Sequence, residues 1–153
     1  MVELKQGTIF DSDAEVLVNT VNCVGVMGAG VALRFRIKYQ GFFEQYKKVC
    51  DKGLLRPGVL WWYNTPDGKR IMCFPTKTHW KYPSKIEYIE LGMRKFVECY
   101  KKRGVKTIAF PLLGCSNGRL DPEMVIPLMV KYLEKCDGIE ATIYDDRKTI
   151  SIH

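Results

Sequence analysis

No Cys-x-x-Cys pair occurs in this chain of 153 residues, although six cysteines (Cys23, Cys50, Cys73, Cys99, Cys115 and Cys136) are spread along it. Zinc sites usually show paired spacing, and disulfide scaffolds are usually shorter and loop-rich, so the six read as reduced core thiols of a cytoplasmic protein. Histidine is scarce: His79 and His153 are the only two, too few for a histidine-rich metal site, and no metal is expected. No apolar run approaches the roughly 20 residues of a membrane span. No basic segment leads into an apolar one at the N-terminus, so neither a membrane partner nor a signal peptide is expected. Internal repeats are absent too. What is present is a 46% apolar share with 12% aromatics, enough for one folded domain with a sizeable core. Lys and Arg outnumber Asp and Glu by 24 to 17, a net charge of +7. That balance raises the expectation of a polyanionic partner, most simply nucleic acid, although a mildly basic domain with no such partner gives the same count.

Two familiar glycine fingerprints are missing from the stretch around which the chain is organised, residues 16–38. It opens with Val16-Leu17-Val18-Asn19-Thr20-Val21, an apolar and β-branched run of the kind expected for a buried strand. A loop bearing Gly25, Gly28 and Gly30 follows, and then Val31, Leu33, Phe35 and Ile37, read as an amphipathic helix. Strand, glycine loop and helix start bring backbone N–H groups and the positive end of a helix to an anion. Phosphate, or something that carries it, is the expected ligand. No Gly-Lys-Ser/Thr closes the loop, so the P-loop NTPase reading fails. Gly28-Ala29-Gly30 lacks the third glycine of the dinucleotide pattern. A tight strand-to-helix turn would need these glycines for positive φ alone. Asn19 and Asn22, at the mouth of the strand, favour a ligand, since an amide both donates to and accepts from sugar hydroxyls.

Residues 1–5 alternate weakly and suit an edge strand, and Asp11-Ser12-Asp13 supplies turn residues. Beyond Gly41, the residues Phe42, Phe43, Tyr46, Val49 and Cys50 recur on one helical side, stopped by Gly53 and Pro57. Residues 59–64 and 70–74 flank Thr65-Pro66-Asp67-Gly68, a hairpin signal. The adjacent Trp61 and Trp62 must point to opposite faces, one core and the other exposed. The unusual loop Pro75-Thr76-Lys77-Thr78-His79-Trp80-Lys81-Tyr82-Pro83-Ser84 precedes a helix over 85–103, opened by a capping box of Ser84 with Glu87. Residues 107–110 read as a short buried strand, followed by a second glycine-bearing loop from Pro111 through Gly114 and Gly118 to Leu120. Asp121-Pro122-Glu123 is an N-cap with proline at the first helical position of a last helix. Residues 140–144 form the closing strand. The domain is expected over 1–145, with 146–153 a tail or truncated linker. The order is α/β, with a mixed sheet between helices. Both glycine loops leave strand ends, so they can flank one crevice at the carboxyl ends of the strands, with a diphosphate ligand between them.

With both loops placed, the sequence resembles the macrodomain family, the ADP-ribose-binding fold. Val18-Asn19-Thr20-Val21-Asn22 with Met27-Gly28-Ala29-Gly30-Val31-Ala32 resembles the family's first loop. Pro111-Leu112-Leu113-Gly114-Cys115-Ser116-Asn117-Gly118 resembles its phosphate loop. The resemblance implies a three-layer α/β/α fold that takes ADP-ribose as ligand and product and needs no cofactor. It places Asn22 at the distal ribose, Gly28, Ala29 and Gly30 at the diphosphate and ribose, and Gly114, Cys115, Ser116, Asn117 and Gly118 at the phosphates. Thr8, Ile9, Asn19, Val31 and Leu113 complete the ligand-binding set it implies. Thr8, after Gly7, stands where the family often carries an Asp that binds the adenine amino group.

Within the family, Phe74-Pro75-Thr76-Lys77-Thr78-His79-Trp80 resembles the branch that holds the terminal ADP-ribose glycohydrolase and the DarG-type antitoxins, which remove ADP-ribose from DNA bases. Pro83 and Ser84 soon after make it more similar to the DarG type. Lys77 falls on that branch's functional lysine and is the implied catalytic residue. No Asp stands near Gly118, where the protein-directed glycohydrolase has one. The implied partners are ADP-ribosylated single-stranded DNA, of thymidine type, and a cognate ADP-ribosyltransferase toxin; a monomer is expected. Cleaving a ribosyl–base bond needs stabilisation of an oxocarbenium-like centre or attack on C1″. A lysine of lowered pKa could attack, and a charged one could protonate the leaving base. His79, Trp80, Lys81 and Tyr82 interleave cations with aromatics, as suits a single strand; otherwise Trp80 packs on the sheet edge and the lysines are solvated. Two other functions remain open: hydrolysis of protein-linked ADP-ribose or O-acetyl-ADP-ribose, and ADP-ribose binding without turnover.

Overall fold

The computed structural model describes residues 1–147. Strand β2 (Val16–Val21) is buried along nearly its whole length, because helices cover both faces of the sheet and a strand so placed needs an almost continuous apolar run. Around it lie β1 (Val2–Gln6), β3 (Trp61–Asn64), β4 (Arg70–Pro75), β5 (Thr107–Pro111) and β6 (Glu140–Asp145). The sheet order is β1-β6-β5-β2-β4-β3. Every neighbouring pair is parallel except β3 with β4, the expected hairpin, which runs antiparallel. The sheet is therefore mixed, and the last strand inserts between β1 and β5 while β1 stays at the edge.

Period-two alternation sorts each strand's side chains into two cores. Val16, Val18, Met72, Phe74, Ile108 and Phe110 meet α3 (Ile86–Cys99) and α4 (Pro122–Leu133). On the other face Leu17, Ile71, Cys73 and Ala109 meet α1 (Gly30–Lys38) and α2 (Phe42–Asp51). The architecture is the three-layer α/β/α sandwich with a central mixed sheet. Asp121 caps α4 as its sequence indicates, its Oδ1 accepting from the Glu123 N–H at 2.9 Å.

Four local expectations are corrected. Helix α1 does form, but its buried residues are Ala32 and Phe35, and Ile37 is 76% exposed; residues two apart lie on nearly opposite sides of a helix, so the four apolar residues cannot share a face. Trp61 and Trp62 are both half-buried, one on each face. Trp61 stacks on Phe42 with ring centroids 6.0 Å apart, and Trp62 lies under the guanidinium groups of Arg70 and Arg103. Ser84 does not cap α3: the N-cap is Lys85, with no side-chain bond, and Ser84 is turned inward and buried. Helix α3 closes at Cys99, short of residue 103, and Gly104 turns the chain at φ 66°.

All six cysteines are free thiols. Burial pushes Cys23, Cys115 and Cys136 up to about 11, so these thiols stay protonated at neutral pH.

Helix α3 approaches β4 through Gly92, where a Cβ would lie within 2.7 Å of three Phe74 ring atoms. Replacing Gly92 by Ala gains up to ~1 kcal/mol of helix propensity, whereas overpacking against a ring held by the sheet costs about 1–3 kcal/mol. The Gly92→Ala variant is therefore expected to unfold at lower denaturant. A midpoint equal to or above wild type in urea would show that α3 is free to shift.

Candidate functional site

Strands β6, β5, β2 and β4 are adjacent and parallel, so their carboxyl ends line up along one edge of the sheet. The segments leaving β5, β2 and β4 are the second glycine loop, the first glycine loop and the Lys77 loop. Together they wall a cleft of about 660 Å³, in the size range of small-molecule sites and in the place where open α/β sheets bind ligands.

The first loop is shaped by Asn22. Its Oδ1 accepts from the N–H groups of Val24 at 3.1 Å and Val26 at 3.3 Å, and its Nδ2 donates to the Val26 carbonyl at 2.8 Å. The Tyr46 hydroxyl, from α2, donates between Asn22 O at 2.7 Å and Oδ1 at 2.9 Å; burial raises the tyrosine pKa, keeping it a donor. Asn22 lines the cleft, yet most of its bonding capacity holds the loop, and one Nδ2 hydrogen is left for a ligand. Gly28, Ala29 and Gly30 form the wall. Gly30, at φ 59°, opens α1 behind an Ala29 N-cap that makes no side-chain bond, and the first turn carries no acid. The first N–H groups of α1 thus face the cleft with the positive end of the helix behind them.

The second loop, at Gly114, Cys115, Ser116, Asn117 and Gly118, forms the opposite wall. Asn117 Nδ2 lies 3.2 Å from where a Cβ on Gly30 would stand, so the two loops nearly touch. Gly114 turns at φ 73° and its carbonyl accepts from the Leu120 N–H at 2.9 Å. Gly118 is pressed against Ser84: the Ser84 N–H donates to the Gly118 carbonyl at 3.0 Å, and a Cβ at Gly118 would collide with the Ser84 hydroxyl and the Gly114 carbonyl. That hydroxyl has no partner among the described residues.

Lys77 follows β4 into the third wall. The β2–β4 pairing extends past the strands, with the Thr76 N–H donating to Val21 O at 3.0 Å and the Cys23 N–H to Thr78 O at 3.3 Å. Lys77 is half-buried, and its Nζ donates to the Trp80 carbonyl at 3.4 Å. Burial first, and the charge of Arg119 second, lower its pKa from the ordinary lysine value. His79 Nδ1 accepts from the Lys81 N–H at 3.1 Å, and the His79 ring lies 5.5 Å from the Trp80 ring and 5.4 Å from that of Tyr82. The Lys81 ammonium sits 5.3 Å from the Trp80 ring centroid. Trp80 and Tyr82 are 50% and 60% exposed. Trp80 is therefore not packed away on the sheet edge; it borders the cleft beside Lys77.

Two expected site residues, Asn19 and Leu113, lie off the cleft, and two more, Thr8 and Ile9, lie beside it. Asn19 is fully buried on the α1/α2 side, its Nδ2 4.0 Å from Cys73 Sγ. Alternation along β2 sends Thr20, not Asn19, to the cleft. Leu113 belongs to the core beneath α3 and α4, and Leu112 lines the cleft. Thr8 and Ile9 lie in an adjoining hollow of about 340 Å³ that shares Gly30, Val31, Pro111 and Asp146 with the main cleft. There the Thr8 hydroxyl accepts from the Phe10 N–H at 3.2 Å and caps the short 3-10 helix Ile9–Asp11, while the Asp11 carboxylate accepts from the Thr8 N–H at 3.0 Å.

Asp146 and Arg147 also line the main cleft. Nothing in their local pattern announces this, since a charged pair after the last strand looks the same as a linker. The rest of that tail, 148–153, lies outside the described residues. Among the described residues no group of three potential metal ligands occurs, and no helix is long and apolar enough to cross a membrane.

Residues 18–129 match the Macro domain family. The chain is 40% identical over 147 residues to a protein of Mycobacterium tuberculosis named DNA ADP-ribosyl glycohydrolase, a match covering 94% of this chain and 42% of that protein. The solved macrodomain of Mycobacterium tuberculosis DarG superposes with a TM-score of 0.92 at 39% identity, covering 96% of this chain and 99% of that one. A Thermosipho africanus DNA ADP-ribosyl transferase–DNA ADP-ribosyl glycohydrolase fusion protein is 37% identical over 161 residues, covering 94% of this chain and 41% of the fusion. The structure of Thermosipho africanus DarTG in complex with ADP-ribose superposes with a TM-score of 0.89 at 35% identity, covering 98% of this chain and 43% of that one. The chain thus spans less than half the length of these curated relatives.

The Gly118 contact makes a local prediction. Gly118→Ala is expected to push the second loop off Ser84 and to lower the urea midpoint, since overpacking against a fixed neighbour costs about 1–3 kcal/mol. An unchanged midpoint would show that the loop tolerates displacement.

Proposed function

This chain belongs to the macro domain family, and on that footing we propose that it hydrolyses ADP-ribose from ADP-ribosylated single-stranded DNA, of thymidine type, and so acts as the antitoxin to a DNA ADP-ribosyltransferase. The observation that carries the reading is the placement of Lys77, of lowered pKa, on the wall of a cleft lined by two glycine loops, beside the exposed Trp80 and Tyr82. The names of the relatives support a DNA-linked ADP-ribose as substrate and a DNA ADP-ribosyl transferase as partner.

In this reading the diphosphate lies between the loops, where helix N–H groups and backbone amides meet it, and the far ribose reaches Lys77. Trp80 and Tyr82 offer flat faces to neighbouring bases, with Lys81 close by for a phosphate. Burial and the charge of Arg119 lower the Lys77 pKa and so raise its share of free amine above that of an ordinary lysine. The free amine attacks C1″ as the bond to the base breaks, and the base takes the electron pair and the proton shed by the lysine nitrogen; the ribose then opens to a Schiff base on Lys77, to which water adds, releasing ADP-ribose and the free amine. The alternative is the ammonium acting as proton donor to the leaving base while water attacks.

The deciding assay is release of ADP-ribose from a thymidine-ADP-ribosylated single-stranded oligonucleotide. Lys77→Ala is expected to lose turnover by two orders of magnitude or more while still binding free ADP-ribose. No turnover by wild type would overturn the DNA substrate. Protein-linked ADP-ribose and O-acetyl-ADP-ribose would then be tried, with binding and no turnover on any of them leaving a reader module.

The pH profile separates the two roles of Lys77. An attacking amine makes the rate rise with pH through the lowered lysine pKa, because only the deprotonated form reacts. A proton donor makes it fall through the same range. A rising profile is expected.

A further inference from the structure

Strand β6 ends in Asp145, whose carboxylate is only 8% exposed and receives three bonds from Arg147. The Arg147 backbone N–H donates to Oδ1 at 3.0 Å, Nε to Oδ1 at 2.9 Å, and Nη2 to Oδ2 at 2.7 Å. Two parallel N–H···O bonds from one edge of a guanidinium fix its plane. The Arg147 side chain stays 57% exposed, and it lines the main cleft near the second loop, where its charge is felt by the Cys115 thiol. Lys77 and Arg147 are the two cations that line this cleft. Lys77 is engaged with the Trp80 carbonyl, whereas Arg147 Nη1 has no hydrogen-bond partner among the described residues.

We infer that Arg147 binds the diphosphate of the ligand, through the edge of the guanidinium turned away from Asp145. The inference rests on the ADP-ribose reading above and adds a charged side chain to loops that otherwise offer neutral donors. A diphosphate carries charge that amides alone meet with dipoles; a guanidinium already held in place adds charge-assisted bonds with little further ordering. Asp145 cancels most of the long-range field of Arg147, so the contribution is short-range contact rather than steering. The other role such a pair could have is to staple the chain end to the sheet.

The test compares ADP-ribose, ADP and adenosine by calorimetric titration on wild type, Arg147→Gln and Arg147→Lys. Arg147→Gln is expected to weaken both diphosphates about tenfold or more, the range of one or two hydrogen bonds to a charged group. Adenosine, which lacks the diphosphate, keeps its affinity, and Arg147→Lys, with charge but no fork, lies between. Equal affinity of wild type and Arg147→Gln for ADP-ribose overturns the inference, as does a loss that adenosine shares in full, which marks a staple only. Because Arg147→Gln leaves a buried carboxylate unpaired, an Asp145→Asn/Arg147→Gln double variant repeats the comparison with both charges removed. A wild type that binds no ADP-ribose at all refutes the ligand reading itself, an outcome distinct from a loss confined to the variants.

Discussion

Four neighbouring strands, β6, β5, β2 and β4, run parallel and stop at one edge of the sheet, and each feature of the cleft depends on that alignment. Parallel strands cannot be joined by tight hairpins, so their connections cross over through helices, and each strand end must hand the chain to a loop. Here the three loops after β2, β4 and β5 meet, and the first residues after β6 join them. Burial of β2 on both faces holds the alignment. Asn22 then turns the chain out of that strand, and its amide shapes the first loop at the point where the apolar run ends.

The loops are also tied to one another. Ser84, at the end of the Lys77 loop, gives its N–H to Gly118 and lies against Gly114 as well, so the segment that carries the lysine and the exposed aromatics is anchored to the opposite wall. Phe74, three residues before Lys77, is seated against Gly92 of α3. The lysine is thus positioned from both sides by contacts that only small residues permit. Its depressed pKa has the same origin: the fold that holds it also removes part of its solvent and sets Arg119 nearby.

Electrostatically the cleft divides its labour. Helix and loop amides present dipoles to it, and Lys77 and Arg147 are the basic side chains on its walls. Neither carries an unopposed full charge there, because the Lys77 pKa is lowered and Arg147 is paired with the buried Asp145. Much of the net charge of +7 lies outside the cleft, on exposed side chains such as Lys81 and Lys85.

The sequence by itself determined the strands, their loops and the cap of the last helix, because those depend on local chemistry: a β-branched run, glycines at positive φ, Asp before Pro at a helix start. It also marked Lys77 and its aromatic neighbours, which stand together in the chain. Tertiary structure alone decided what depends on facing and on distance along the chain. One residue of offset along β2 put Asn19 in the core and Thr20 on the cleft, and the turn after β5 exchanged Leu112 for Leu113. Ser84, which has the spacing of a helix cap, instead gives its N–H to a carbonyl 34 residues later, and its side chain is buried against Gly114 and Gly118 rather than turned to the helix. Asp146 and Arg147 joined the site because β6 inserts beside β5, a pairing between segments whose local sequence carries no sign of it.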